Sequence, residues 1–186
     1  MVDRVTIDMS GLKSKLKMLN DGLKSSTYLA AMQQSLIAWV ARNFQAEGIE
    51  RRWPQMSPNT RAARRGGGGG ARLLQNTGIL RASFAPSHSQ SASRIDEGAM
   101  QVSVGTSVQY APFHEFGTKP YVIRPKAGGT LAFMTASGFR RAKVVNHPGV
   151  PHRRMLPSPA VAKRTVMATL KAALNRMLER AKSAGK

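Results

Sequence analysis

The chain has 186 residues, 41% of them hydrophobic, enough for a folded core; its 29 Lys and Arg against nine Asp and Glu give a net charge of +20. It contains no cysteine, which excludes disulfides, thiolate nucleophiles and cysteine-based zinc sites. So large an excess of one sign repels itself and calls for an anionic neighbour (nucleic acid, acidic lipid or an acidic protein surface), unless it is only a soluble basic face.

The opening Met1-Val2-Asp3-Arg4-Val5 lacks the apolar run of a signal peptide. No window approaches the ~18 apolar residues of a membrane span, so the chain is expected to stay in the cytoplasm that makes it, without membrane contact. Residues Val2–Asp8 alternate and predict a short strand. Ser10 can cap a first helix whose stripe is Leu12, Leu16, Leu19 and Leu23, interrupted at Asn20-Asp21-Gly22. Ser25-Ser26-Thr27 supplies a second cap, and a longer helix to about Gly48 carries Leu29, Met32, Leu36, Trp39, Val40 and Phe44. A stripe of that spacing is core-forming, each buried side chain contributing about 1.5–3 kcal/mol.

From Glu50 the character changes. Trp53-Pro54 and Ser57-Pro58 disfavour helix before each proline, and seven arginines with no acid lie between Arg51 and Arg81. Gly66–Gly70 cannot hold a regular element, and with no Gly-Lys-Ser/Thr after it and no strand before it, it is no phosphate-binding loop. The span 50–80 is expected to be a flexible Arg/Gly-rich arm, returning to the core near Leu73, Leu74, Ile79 and Leu80.

The middle of the chain is strand-like. Met100, Val102 and Val104 share one face of a strand, and Tyr121–Pro125, Thr130–Met134 and Lys143–Val145 are further candidates. The span 139–157 is expected to be largely loop, with a proline-broken stretch from His147 to Pro157. Ser158-Pro159 then starts a C-terminal helix over 158–182, apolar at Val166, Leu170 and Leu174 and cationic at Lys163, Arg164, Lys171 and Arg176. The order predicts a single α+β domain over 1–186: a sheet of short antiparallel strands packed by two N-terminal helices and one C-terminal helix, with long loop arms.

The densest chemistry is Tyr110-Ala111-Pro112-Phe113-His114-Glu115-Phe116-Gly117-Thr118. As adjacent residues, His114 and Glu115 point to opposite faces of a strand or about 100° apart on a helix, so they do not converge on one substrate atom. His88, His147 and His152 fall in loops without helical partners, and no metal-binding or nucleophile motif occurs, so no catalytic, cofactor or metal residue is expected. The stretch predicts a turn or single-turn helix with Tyr110, Phe113 and Phe116 partly buried, Gly117 giving the backbone freedom to turn. Zinc-finger, RNA-recognition and helix-turn-helix signatures are absent too, which leaves non-specific electrostatic contact with nucleic acid.

Trp53-Pro54-Gln55-Met56-Ser57-Pro58-Asn59-Thr60, then Leu74-Gln75-Asn76-Thr77-Gly78-Ile79-Leu80-Arg81-Ala82-Ser83, then Val104-Gly105-Thr106 with Tyr110–Thr118, then Pro151-His152-Arg153-Arg154-Met155-Leu156 follow one another in the chain. In content and order they resemble tailed-bacteriophage virion morphogenesis proteins, a family that includes tail-completion (neck) proteins. Arg154 stands where that pattern has proline and Met155 where it has an aromatic, and the glycine run is similar to an insertion. The resemblance implies a non-enzymatic virion protein of the head–tail junction, assembled in the host cytoplasm as a homo-oligomeric, generally hexameric ring. It requires no cofactor, and its partners would be its own copies, a head connector or stopper protein, a tail tube or terminator protein, and double-stranded DNA in the channel.

On that reading Trp53–Ser83 and His147–Leu156 would be arms gripping neighbours, with Trp53, Tyr110, Phe113, His114, Glu115, Phe116, Arg153 and Arg154 at subunit or partner contacts. Arg61, Arg64, Arg65 and Arg72 would meet DNA or an acidic partner. The alternative is a basic DNA-binding accessory protein outside the virion.

Overall fold

A computed structural model describes residues 4–8, 25–62, 64, 72–126 and 128–184. The expected first helix (Leu12–Leu23), Arg65 and Gly66–Gly70 lie outside the described residues. The fold is α+β, with short antiparallel strands in small sheets. Along a chain read from its sequence as one domain, the described residues gather into two compact units. One comprises the chain up to Arg42, Ala82–Val108 and everything from Leu156; the other comprises Asn43–Arg81 and Gln109–Met155.

The first unit is built on a three-stranded antiparallel sheet in the order β1 (Arg4–Asp8), β3 (Gln101–Gly105), β2 (Arg94–Asp96). The pairs Val5↔Val104 and Ile95↔Val102 fix the register, so β-branched side chains lie opposite one another. β3 is the central strand and is buried from Val102 to Gly105. Helix α1 (Ser25–Ala46) lays Leu29, Met32, Leu36 and Val40 into this core as their three- and four-residue spacing requires. Gln33, a polar residue on that stripe, is buried because its amide donates to the Ser103 carbonyl at 3.2 Å. The C-terminal helix α5 (Pro159–Ala184) packs against β1 and buries Ala162, Val166 and Leu170. Its start is the expected serine cap: Val161 N–H donates to Ser158 Oγ at 3.4 Å and Ala162 N–H to the Ser158 carbonyl at 2.8 Å.

The second unit holds the last turn of α1, two short helices α2 (Pro58–Ala62) and α3 (Ile79–Ala82, through Arg81), and the single-turn helix α4 (Ala111–Glu115). It also contains two two-stranded antiparallel ribbons, β4 (Tyr121–Ile123) with β7 (Val145–His147), and β5 (Leu131–Thr135) with β6 (Gly138–Ala142). The span 139–157, read from the sequence as loop, therefore contributes β6 and β7. Solvent reaches both faces of β6, so no alternation of apolar and polar residues marks it as a strand.

Within the expected arm 50–80, α2 is a capped helix. Ser57 Oγ accepts the Thr60 N–H at 3.1 Å and Pro58 opens the first turn. Leu73, Leu74 and Leu80 return to the core as expected, while Ile79 stays exposed.

Leu36 is fully enclosed on α1, so Leu36→Ala should destabilise the protein by about 2–5 kcal/mol in a denaturant melt. Met167→Ala, on an exposed position of α5, should stay within about 0.5 kcal/mol. Equal effects at the two positions would contradict the burial described.

Candidate functional site

The motif residues of the second unit meet around one extended segment, Val150–Met155. Helix α4 ends at Glu115, and Phe116 N–H closes its turn onto the Pro112 carbonyl at 2.9 Å. The single-turn helix expected from the sequence is thus present. Its aromatics are more open than the partial burial expected: Phe113 is 55% and Phe116 70% exposed, with Tyr110 at 43%. An isolated helical turn presents side chains around its whole circumference, and this one spends its buried face on Ala111 and Glu115.

The turn holds the segment by alternating bonds. The His114 carbonyl accepts the Arg153 N–H at 2.7 Å, and the Glu115 carboxylate accepts the buried Met155 N–H at 2.6 Å. Thr118 N–H donates to the Val150 carbonyl at 2.8 Å, while Thr118 Oγ1 accepts the Val150 N–H at 2.8 Å. This approach requires Gly117, whose φ is +74° and where a Cβ would stand 2.9 Å from the Val150 carbonyl oxygen and 3.1 Å from the His152 nitrogen. Gly149, at φ +90°, meets the Thr118 carbonyl from the other side of the same crossing.

Two further parts of the chain close on the segment. Asn43, in the last turn of α1, donates its amide to the Arg154 and Met155 carbonyls, each at 3.0 Å, and accepts the Ile49 N–H at 2.7 Å. The Trp53 indole N–H donates to the same Arg154 carbonyl at 2.9 Å, and its ring meets Phe44 edge-on at 5.3 Å. In return the Arg153 guanidinium donates to the Pro54 carbonyl at 2.9 Å and the Gln55 carbonyl at 3.2 Å.

Trp53, Glu115 and Arg153, expected at subunit or partner contacts, are only 3%, 7% and 6% exposed and are bonded within their own chain. Trp53 is not the tip of an extended arm, because burying its ring while satisfying its N–H is the better use of so large an apolar group. The Arg154 side chain and the rings of Tyr110, Phe113 and Phe116 remain on the surface. Arg61 and Arg72 are exposed; Arg64 is half-buried and donates to the Arg72 carbonyl at 2.7 Å.

His114 is half-buried. Its ring stands edge-on to Tyr110 at 6.3 Å, and its Nδ1 is buried without a hydrogen-bond partner among the described residues. Burial, then the positive charges of Arg153 and Arg64, push its pKa below the ordinary histidine range, so the ring is neutral at pH 7. Burial, and secondarily Arg64, also lowers the Arg153 pKa. Among the described residues no group of three or more His, Asp or Glu could hold a metal ion.

Sequence reasoning missed Asn43 and Glu47. Asn43 continues the α1 stripe three residues beyond Val40, and a polar residue on an apolar face is a readable sign that it bonds something inside. Glu47, in the left-handed region at φ 53°, accepts the Leu73 N–H at 2.8 Å and so holds the far end of the 50–80 span.

Glu115→Ala leaves the buried Met155 N–H without its carboxylate acceptor and should cost about 1.5–3 kcal/mol in a denaturant melt; a neutral outcome would mean that this bond does not hold the segment. Because the His114 pKa is lowered on folding, the unfolded chain takes up a proton first as pH falls through about 6.5. Stability should therefore drop from that pH down to the folded-state pKa, and His114→Gln should shrink the drop between neutral and mildly acidic melts. An undiminished drop would contradict the buried, neutral ring.

Compared with protein-family models, with curated proteins and with solved structures, the chain matches none, so its function has to be read from its own residues.

Proposed function

We propose that this chain is a structural, non-enzymatic component of a tailed-phage virion, acting at the head–tail junction as a hexameric ring that completes the tail or joins it to the head connector. The observation that carries the proposal is the mutual dependence of the motifs on which the resemblance rests. The tryptophan-proline motif, the histidine-glutamate-phenylalanine-glycine turn and the segment before the last helix, far apart in sequence, bond one another around Arg153–Met155. Segments that bond one another into a single structural knot fit a scaffold role.

The surface left over also supports it. Tyr110, Phe113 and Phe116 stand exposed beside the knot, which suits contact with neighbouring copies. The cationic excess would face double-stranded DNA in the channel or an acidic rim of a connector or tube protein.

A second reading, a basic DNA-binding accessory protein outside the virion, is favoured by the exposed cations Arg61, Arg72, Lys163, Arg164, Lys171 and Arg176.

Native mass spectrometry of the purified chain, with negative-stain imaging and protein analysis of purified particles, separates the two. The ring reading expects a closed oligomer and stoichiometric presence in particles. A strictly monomeric chain absent from particles, with DNA affinity falling steeply with salt, would establish the accessory protein instead.

A further inference from the structure

The hairpin β5–β6 is the part of the second unit that the motif knot leaves unexplained. It is a two-stranded sheet closed by Ala136-Ser137, with Thr135 Oγ1 against the Gly138 carbonyl at 2.8 Å and Asn59 Oδ1 accepting the Ala136 N–H at 3.0 Å. A two-stranded hairpin alone is at best marginally stable in water, and helix α2 lies against β5. Here the large side chains are in solvent: Met134 and Phe139 are more than half exposed, and Phe133 is over a third exposed.

The register decides how these groups are arranged. Met134 lies opposite Phe139 and Ala132 opposite Arg141, so Met134, Phe139 and Arg141 share one face. The Arg141 guanidinium sits 5.7 Å above the Phe139 ring. Phe133 lies opposite Arg140 on the other face. Each face therefore pairs an exposed aromatic with an exposed arginine. No acid interrupts the sequence between Glu115 and Glu179, so the hairpin's cations have no counter-charge of their own stretch of chain.

We propose that this hairpin docks on an apolar-lined, acidic surface of a partner protein. Aromatic, Met and Arg residues with Asp and Glu absent are the composition of buried interface centres. The missing carboxylates specify the partner's charge. The hairpin of a second copy carries the same arginines and no acid, so one hairpin does not complement another. Duplex DNA supplies phosphates for Arg140 and Arg141, but it covers apolar side chains only by unstacking its base steps. A bilayer accepts the rings but leaves the free strand edges without hydrogen-bond partners; another protein can meet both needs, including by strand addition.

The inference extends the virion reading by naming a contact element and its partner's chemistry. Its assay can fail while the particle assay succeeds, or the reverse. The full chain is titrated against four probes: a peptide alternating glutamate with leucine, poly-glutamate of equal length, a short DNA duplex and phosphatidylglycerol vesicles. Self-association is followed over the same concentrations. The double variant Met134→Ser/Phe139→Ser should lose roughly tenfold or more of its affinity for the alternating peptide and less than about threefold for poly-glutamate. The charge reversal Arg140→Glu/Arg141→Glu should weaken both, and Ile79→Ser, an exposed apolar position outside the hairpin, neither.

Thermal melts of the variants should match that of the parent chain, since the substituted side chains are in solvent; a clear loss of stability in the Met134/Phe139 variant would show the hairpin already packed and overturn the proposal. An alternating peptide bound no better than poly-glutamate would overturn it too, as would a double variant whose loss fell instead on DNA, on vesicles or on self-association.

Discussion

Arg153–Met155 passes through the second unit as irregular backbone, so its amides and carbonyls find no partners in a helix or sheet ladder of their own. Buried amides and carbonyls left unpaired cost more than most side-chain contacts return. The unit solves this with donors and acceptors from three places: Asn43 at the end of α1, Trp53 in the following loop, and the backbone and carboxylate around Glu115. Arg153 reverses the traffic by carrying a cation inward to two carbonyls of the tryptophan loop. The positions of α4, of the Gly117–Gly149 crossing and of the loop after α1 all follow from that one requirement.

The same arrangement accounts for the electrostatics inside. His114 lies where burial and then the two arginines Arg153 and Arg64 disfavour its charged form. The Glu115 carboxylate is used as a hydrogen-bond acceptor for the main chain. Although adjacent, the two side chains face different partners: the His114 ring stands edge-on to Tyr110 and the Glu115 side chain meets the Met155 N–H.

Much of the first unit was legible because its signals are local. The stripe from Leu29 to Val40, the Val102/Val104 alternation and the Ser158-Pro159 start each specify an element from neighbours in sequence. The second unit was less so. β6, with Phe139, Arg140 and Arg141 in a row, carries no buried face to impose a period. Trp53 and Arg153 read as surface anchors because the groups that bury them lie 101 and 99 residues away in sequence. The turn at Gly117 could be foreseen; its partner strand could not, since nothing near residue 117 announces Val150. Asn43, polar on an apolar stripe, was the one legible hint of the knot.

The separations bridged by the knot also order events during synthesis. Asn43 waits 112 residues for the Met155 carbonyl, and Glu115 waits 40 for the Met155 amide. Until that stretch has left the ribosome, Trp53 has no hydrogen-bond acceptor at Arg154 and its ring has no finished interior to enter. Closing loops of this length spends chain entropy before any bond compensates it. A nascent chain therefore displays an unsheltered tryptophan and a row of arginines together for most of its elongation, the interval in which a chaperone would find its substrate.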